Sequence, residues 1–173
     1  MRRFGFEVCF FIVLGSDQLV QVAITDVDAN TFHFDETYIP IKKQTVQSDS
    51  FNMTSGSAEA QTLVTAYGGN GKDVLHSMIN GDDVLDLSLE SLKLPVLHYE
   101  GLPHNYSFGG YTYYYSRVGM TASGTLTVKG KTYAVEGTGW FDRQYGDLAQ
   151  AVTQVGYRGY GGKKSKGVHF SFF

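Results

Sequence analysis

Two short stretches gather the side chains able to do chemistry. Tyr113-Tyr114-Tyr115-Ser116-Arg117 is followed further along the chain by Gly139-Trp140-Phe141-Asp142-Arg143-Gln144-Tyr145-Gly146-Asp147. The only tryptophan thus stands beside a carboxylate, a guanidinium and an amide. Adjacent aromatics next to an Asp/Arg/Gln set describe a site that holds an apolar molecule and touches it with a few polar groups. The same residues also describe a buried strand whose Arg and Asp pair with each other. Composition alone leaves both readings open.

A regular strand through Tyr133–Tyr145 places Glu136, Thr138, Trp140, Asp142 and Gln144 on one face. Phe141, Arg143 and Tyr145 take the other, and Tyr111, Tyr113 and Tyr115 share a face of their own strand. A barrel interior lined by Trp140, Asp142, Gln144 and the tyrosine row is apolar with one acid. Desolvation raises the pKa of such an acid and keeps it protonated. It then protonates a carbon–carbon double bond or a leaving group, and aromatic faces stabilise the resulting cation. A bulge at Gly137 or Gly139 exchanges the faces.

The elements that must position these residues read as strands. Phe4–Leu14 and Gln18–Thr25 alternate around a Gly15-Ser16-Asp17 turn, and Phe32-His33-Phe34 is short and strand-like. Residues 35–60 are polar and weakly patterned, a loop with a helical turn at Ala58–Leu63. Gly69-Asn70-Gly71 and Asn80-Gly81-Asp82-Asp83 are hairpin signals that bound strands Asp73–Ile79 and Val84–Leu92. Leu94–His98 is extended around Pro95. Tyr111–Arg117, Ala122–Val128 and the strand from Thr132 into Trp140 complete the series, the last two joined by a Lys129-Gly130 turn. No amphipathic helix is evident, and helix content below about 10% is expected. The expected fold is all-β and antiparallel, a barrel or sandwich.

Composition agrees. The 173 residues suffice for one core, and 12 Tyr, 12 Phe and 21 Gly against 3 Pro favour strands and tight turns. A net charge of -3 argues against a dedicated nucleic-acid binder. The single cysteine, Cys9, allows no internal disulfide and reads as a small buried hydrophobe. Arg2-Arg3 ahead of Phe4–Leu14 imitates a secretory signal, but Glu7 interrupts it and the alternation fits a strand. No apolar run is long enough for a transmembrane helix.

His33, His76, His98, His104 and His169 show no metal-ligand spacing, so no metal site is expected. His98, after Pro95-Val96-Leu97, is the best placed to reach a pocket. No nucleotide-binding or hydrolase signature is present. Asn52-Met53-Thr54 and Asn105-Tyr106-Ser107 fit the glycosylation sequon. From Val152 the pattern dissolves into Gly, Tyr, Arg and Lys, which reads as a flexible tail over residues 151–173.

The Tyr113–Arg117 run, Gly124-Thr125-Leu126-Thr127-Val128, Gly130-Lys131-Thr132-Tyr133 and Gly137–Gly146 resemble the lipocalin-like carotenoid 1,2-hydratase family. That family is also called the hydroxyneurosporene synthase or AttH-like family, often labelled "predicted secreted hydrolase". Arg3–Val8 with Phe10-Phe11, Ala23–Asp26 and Leu94–His98 are similar to family segments in the same order. The resemblance covers residues 3–150 and implies a calycin-type β domain over residues 1–150, the first of two. The aromatic opening strand, the strand after Asp147 and the second domain have no counterpart here, so the expectation is a fragment, a truncated gene product or a frame-shifted one.

The resemblance implies a cofactor-free hydratase or related lyase acting on a hydrophobic, isoprenoid-like molecule. Asp142 is the implied proton donor. Trp140 and the tyrosine row with Tyr113 and Tyr115 are its implied cation-stabilising neighbours, and Gln144, His98 and Arg143, read from the residues themselves, complete the expected substrate-binding set. A non-catalytic module for a hydrophobic ligand and an inactive fragment are the alternatives. A second lipocalin-like domain or self-association are the expected protein partners, and relatives are often secreted or periplasmic.

Overall fold

A computed structural model describes residues 2–13, 17–40, 45–46, 50–57, 61–107, 109–147 and 165–172. Within them the chain forms β1 (Phe4–Val13), β2 (Asp17–Asp26), β3 (Thr31–Pro40), β4 (Thr45–Val46), β5 (Ser50–Ser57), β6 (Thr62–Gly69), β7 (Lys72–Ile79) and β8 (Asp83–Glu90). β9 (Val96–Leu97), a 3₁₀ turn (His98–Gly101), β10 (His104–Asn105), β11 (Tyr111–Val128), β12 (Lys131–Asp147) and β13 (Ser165–Phe172) follow. The single helical turn among the described residues agrees with the all-β expectation.

The strands make one antiparallel sheet in the order β3-β2-β1-β13-β12-β11-β8-β7-β6-β5-β4, with β9 and β10 added along β11. Most neighbours are joined by hairpins. Asn70 and Gly71 both have positive φ, as do Asn80 and Gly81. Asn70-Gly71 is the whole two-residue β6–β7 turn, and Asn80-Gly81 begins the three-residue β7–β8 turn that ends at Asp82, so in both the Asn-Gly pair supplies the backbone twist the hairpin needs.

Period-two alternation drives one face inward. Leu85, Leu87 and Leu89 are buried while Asp86, Ser88 and Glu90 face water. The sheet curls until Phe51 of β5 stacks on Phe141 of β12, with ring centroids 5.7 Å apart. Phe6, Val8, Phe10, Val22, Met53, Leu75, Met120 and Leu126 fill the same core. Among the described residues no strand ladder closes the two ends of the sheet. Side chains of the end strand β3 reach β6 and β8 instead: Thr62 Oγ1 donates to Asp35 Oδ2 at 2.8 Å, and His33 pairs with Asp83.

The sequence expectation missed strands where polar residues dilute the pattern. The loop expected over residues 35–60 contains the second half of β3, β4 and β5. In β5, Phe51, Met53 and Ser55 point inward between exposed Asn52 and Thr54. Thr62 and Leu63 begin β6 rather than a helical turn; residues 58–60 lie outside the described set. Ser165–Phe172, expected in the tail, pairs with β1 and β12, while residues 148–164 lie outside the described set. Cys9 is buried, as expected, and burial pushes its thiol well up. No helix among the described residues is long and apolar enough to cross a membrane.

Candidate functional site

The long hairpin β11–β12 carries both chemical stretches. Its register shifts once, between Arg117 and Met120. Val118 and Gly119 of β11 together oppose Trp140 of β12, and Gly119 takes a φ of +60. Two residues against one exchange the faces of β11 but leave β12 regular. The bulge is therefore on the partner strand, rather than at Gly137 or Gly139.

Beyond the bulge Ser116 lies directly opposite Asp142, and Tyr114 opposite Gln144. Ser116 Oγ donates to Asp142 Oδ1 at 2.5 Å and meets His98 Nε2 at 2.7 Å. A serine has one hydroxyl proton. When it serves Asp142, the His98 N–H must donate to Ser116, so the three form a directed chain from His98 to Asp142. The His98 ring lies flat on Tyr114, centroids 3.9 Å apart. Burial raises the Tyr114 phenol, a hydrogen bond with Ser116 opposes this, and the Asp142 charge raises it further.

His98 reaches Ser116 because the chain leaves β8 at Glu90 and returns along the free edge of β11. Val96 and Leu97 pair with Ser116 and Tyr115, and His104 and Asn105 pair with Thr112 and Tyr111. Between these two contacts Tyr99, Glu100 and Gly101 all adopt positive φ. Two consecutive non-glycine residues in this region each carry about 1–2 kcal/mol of strain. Stacking holds them: Tyr99 lies on His104 at 4.4 Å, and His104 meets Tyr106 edge-on at 4.8 Å. Gln144 Nε2 donates to Tyr106 Oη and Thr112 Oγ1, at 2.8 and 2.9 Å. A polar row thus runs beside a set of aromatic rings on the outer face of the hairpin.

The residues singled out from the sequence divide between two faces. Trp140, Asp142, Gln144 and His98 share the outer one, with Trp140 half-exposed. Tyr113, Tyr115 and Arg143 lie on the other, because Tyr115 is opposite Arg143 and Tyr113 opposite Tyr145. Arg143 Nη1 donates to Tyr115 Oη at 3.5 Å, and Tyr115 packs on core Phe141. The single lining of Trp140, Asp142, Gln144 and the tyrosine row is therefore not formed. Nor does Arg117 meet Asp142. It turns inward, pairs with buried Asp73 of β7, and lies 4.0 Å over the Phe141 ring. Burial raises the Asp73 carboxyl, and Arg117 opposes that rise.

Ser116 and Tyr114 were not legible as site residues, and neither were Tyr99, His104, Tyr106 and Thr112. Their only trace was membership of the tyrosine run and its neighbourhood. In the sheet, His169 of β13 is the register partner of Asp142 on its other side. Among the described residues no three His, Cys, Asp or Glu side chains gather in a way that could hold a metal.

A separate open groove of about 1010 Å³ lies between the start of β1 and the start of β12. Phe4, Phe6, Tyr133, Val135 and Phe32 line it, with Arg2, Arg3, Glu7 and Glu136 among its polar residues.

A family model described as AttH-like matches residues 2–161. The fold is similar to an AttH protein from Nitrosomonas europaea, with a TM-score of 0.48 and 14% identity, covering 82% of this chain and 50% of that one. It is also similar to kievitone hydratase from Nectria haematococca, with a TM-score of 0.42 and 16% identity, covering 84% of this chain and 48% of that one. The chain thus spans about half the length of these two structures. No curated protein matches it. The family model reaches from the first strand past Asp147 and includes the whole hairpin that carries Ser116 and Asp142, so the chain belongs to the AttH-like family.

Proposed function

We propose that the chain carries the acid–base machinery of a cofactor-free hydratase acting on a hydrophobic, isoprenoid-like alkene. The observation that carries this reading is the His98–Ser116–Asp142 row beside stacked aromatic rings. In the first step protonated Asp142 gives its proton to one alkene carbon, and the π pair forms the new C–H bond. The cation left on the neighbouring carbon is held by ring faces, with Trp140 and Tyr114 on the same side of the sheet. Water then adds to that carbon and loses one proton. Ser116 and His98 return a proton to Asp142, so alkene and water become an alcohol with nothing oxidised or reduced.

The test is Asp142→Asn, read by melting and by hydration of a terminal isoprenoid alkene in parallel. Because Arg117 is already paired with Asp73, the amide strands no guanidinium at this site. We expect near-unchanged melting with turnover down by about 10²–10⁴-fold. A wild-type chain without turnover, or a variant that hydrates as well as wild type, overturns the assignment.

A second reading, a binding module for a hydrophobic ligand, is favoured by the groove at Phe4 and Tyr133, which lies away from Asp142. A ligand whose affinity falls in Tyr133→Ala and not in Asp142→Asn supports that reading.

A further inference from the structure

The excursion that supplies His98 also carries the most exposed apolar side chains among the described residues. Leu94 is 89% and Leu92 73% exposed, and Val96, Leu97, Tyr99 and Leu102 are each about half exposed or more. These six lie within eleven residues, on a segment held to β11 by only two short ladders. Scattered exposed leucines are ordinary, but a contiguous set marks a contact surface.

The chemistry of the patch selects its partner. Protein interfaces concentrate their energy in Trp, Tyr and Arg, with Leu under-represented. Here four of six residues are leucine, and one tyrosine stands among them, the pattern of a segment that seats in a lipid interface. The charged side chains on the excursion, Lys93 and Glu100, are of opposite sign, and the whole chain is at -3. Such a surface gains nothing from an anionic membrane. We propose that residues 92–102 dock the protein on an uncharged lipid or micelle surface by apolar insertion. Because His98 sits between Leu97 and Tyr99, docking there places the Asp142 row at the apolar phase. Delivery of an apolar substrate to Asp142 rests on the reading above; the surface binding does not.

The experiment is co-sedimentation of the full chain with phosphatidylcholine vesicles at low and high salt. Leu92→Asp/Leu94→Asp is compared with Tyr38→Asp, a change at another exposed apolar residue, on β3 and outside the groove at Phe4 and Tyr133. Both Leu sites are solvent-exposed, and circular dichroism confirms that the variants are folded. Wild type and Tyr38→Asp should bind equally at both salt levels. The double variant should bind at least about tenfold more weakly. Absence of binding, binding only to anionic lipid with strong salt dependence, or equal loss in Tyr38→Asp overturns the proposal. So does a dimer abolished by the double variant without vesicle binding, which would assign the patch to a second copy. Asp142→Asn should bind vesicles like wild type, and a wild-type chain that binds but does not hydrate sinks the hydratase reading alone.

Discussion

Ser116 of β11 and Asp142 of β12 are direct cross-strand partners, and the serine hydroxyl donates to the aspartate at 2.5 Å. The other side of that hydroxyl meets His98 at 2.7 Å. One buried oxygen therefore couples a strand, its hairpin partner and the excursion that crosses over them.

Removing that oxygen separates the three. Ser116→Ala should cost about 1–3 kcal/mol, since it leaves the Asp142 and His98 groups without their shared partner. If the row moves protons, turnover should also fall by about tenfold or more while ligand affinity stays constant. Chemical denaturation and steady-state kinetics on the same preparation check both. A variant with unchanged turnover would show that Asp142 works without the serine.

The ion pair of Arg117 with Asp73 is buried on both sides. Arg117→Met alone leaves a carboxylate with no cation and should destabilise by about 3–5 kcal/mol. Arg117→Met with Asp73→Leu should recover most of that loss, because an apolar pair of similar volume needs no desolvation. Urea midpoints of the wild type and the two variants measure the difference.

Gly146 closes the motif for a steric reason. A Cβ there would stand 2.0 Å from the Tyr111 carbonyl oxygen, whereas at Gly137 it would meet nothing within 4 Å. Gly146→Ala should therefore lower stability by about 1–3 kcal/mol. Gly137→Ala should remain within about 0.5 kcal/mol of wild type. Thermal melts of the two variants side by side decide this.

The acid limb of stability should depend on Asp26. Its hydrogen bond with Arg2 holds the carboxyl below its ordinary value, helped by the Ala29 N–H. A lowered folded pKa contributes stability that is present above the unfolded value, about 3.9, and is lost as pH falls through the folded one. Asp26→Asn should thus melt below wild type near neutrality, and the gap should close below about pH 4. A gap that persists unchanged in acid would mean that the carboxylate charge is not what matters.

The sequence by itself determined the material of the fold. Alternation in Leu85–Leu89 and the Asn-Gly turns announce an antiparallel sheet, because side-chain direction and turn twist are local properties. The Trp140–Gly146 segment likewise announced the family. Strands such as β5 stayed hidden because their inward positions include Ser55, whose burial depends on what packs over it.

Only the tertiary structure decided the site. Counted back from the Lys129-Gly130 turn, an unbroken hairpin would set Arg117 opposite Asp142. The extra residue at Val118-Gly119 shifts that pairing by one position. It sends Arg117 inward to Asp73, 44 positions away along the chain and beyond any local signal, and brings Ser116 and Tyr114 to Asp142. His98 joins them because a strained left-handed turn and a ring stack carry it across the β11 edge. A period of two makes every face assignment hostage to one inserted residue, and where that residue sits is set by packing on both sides of the strand.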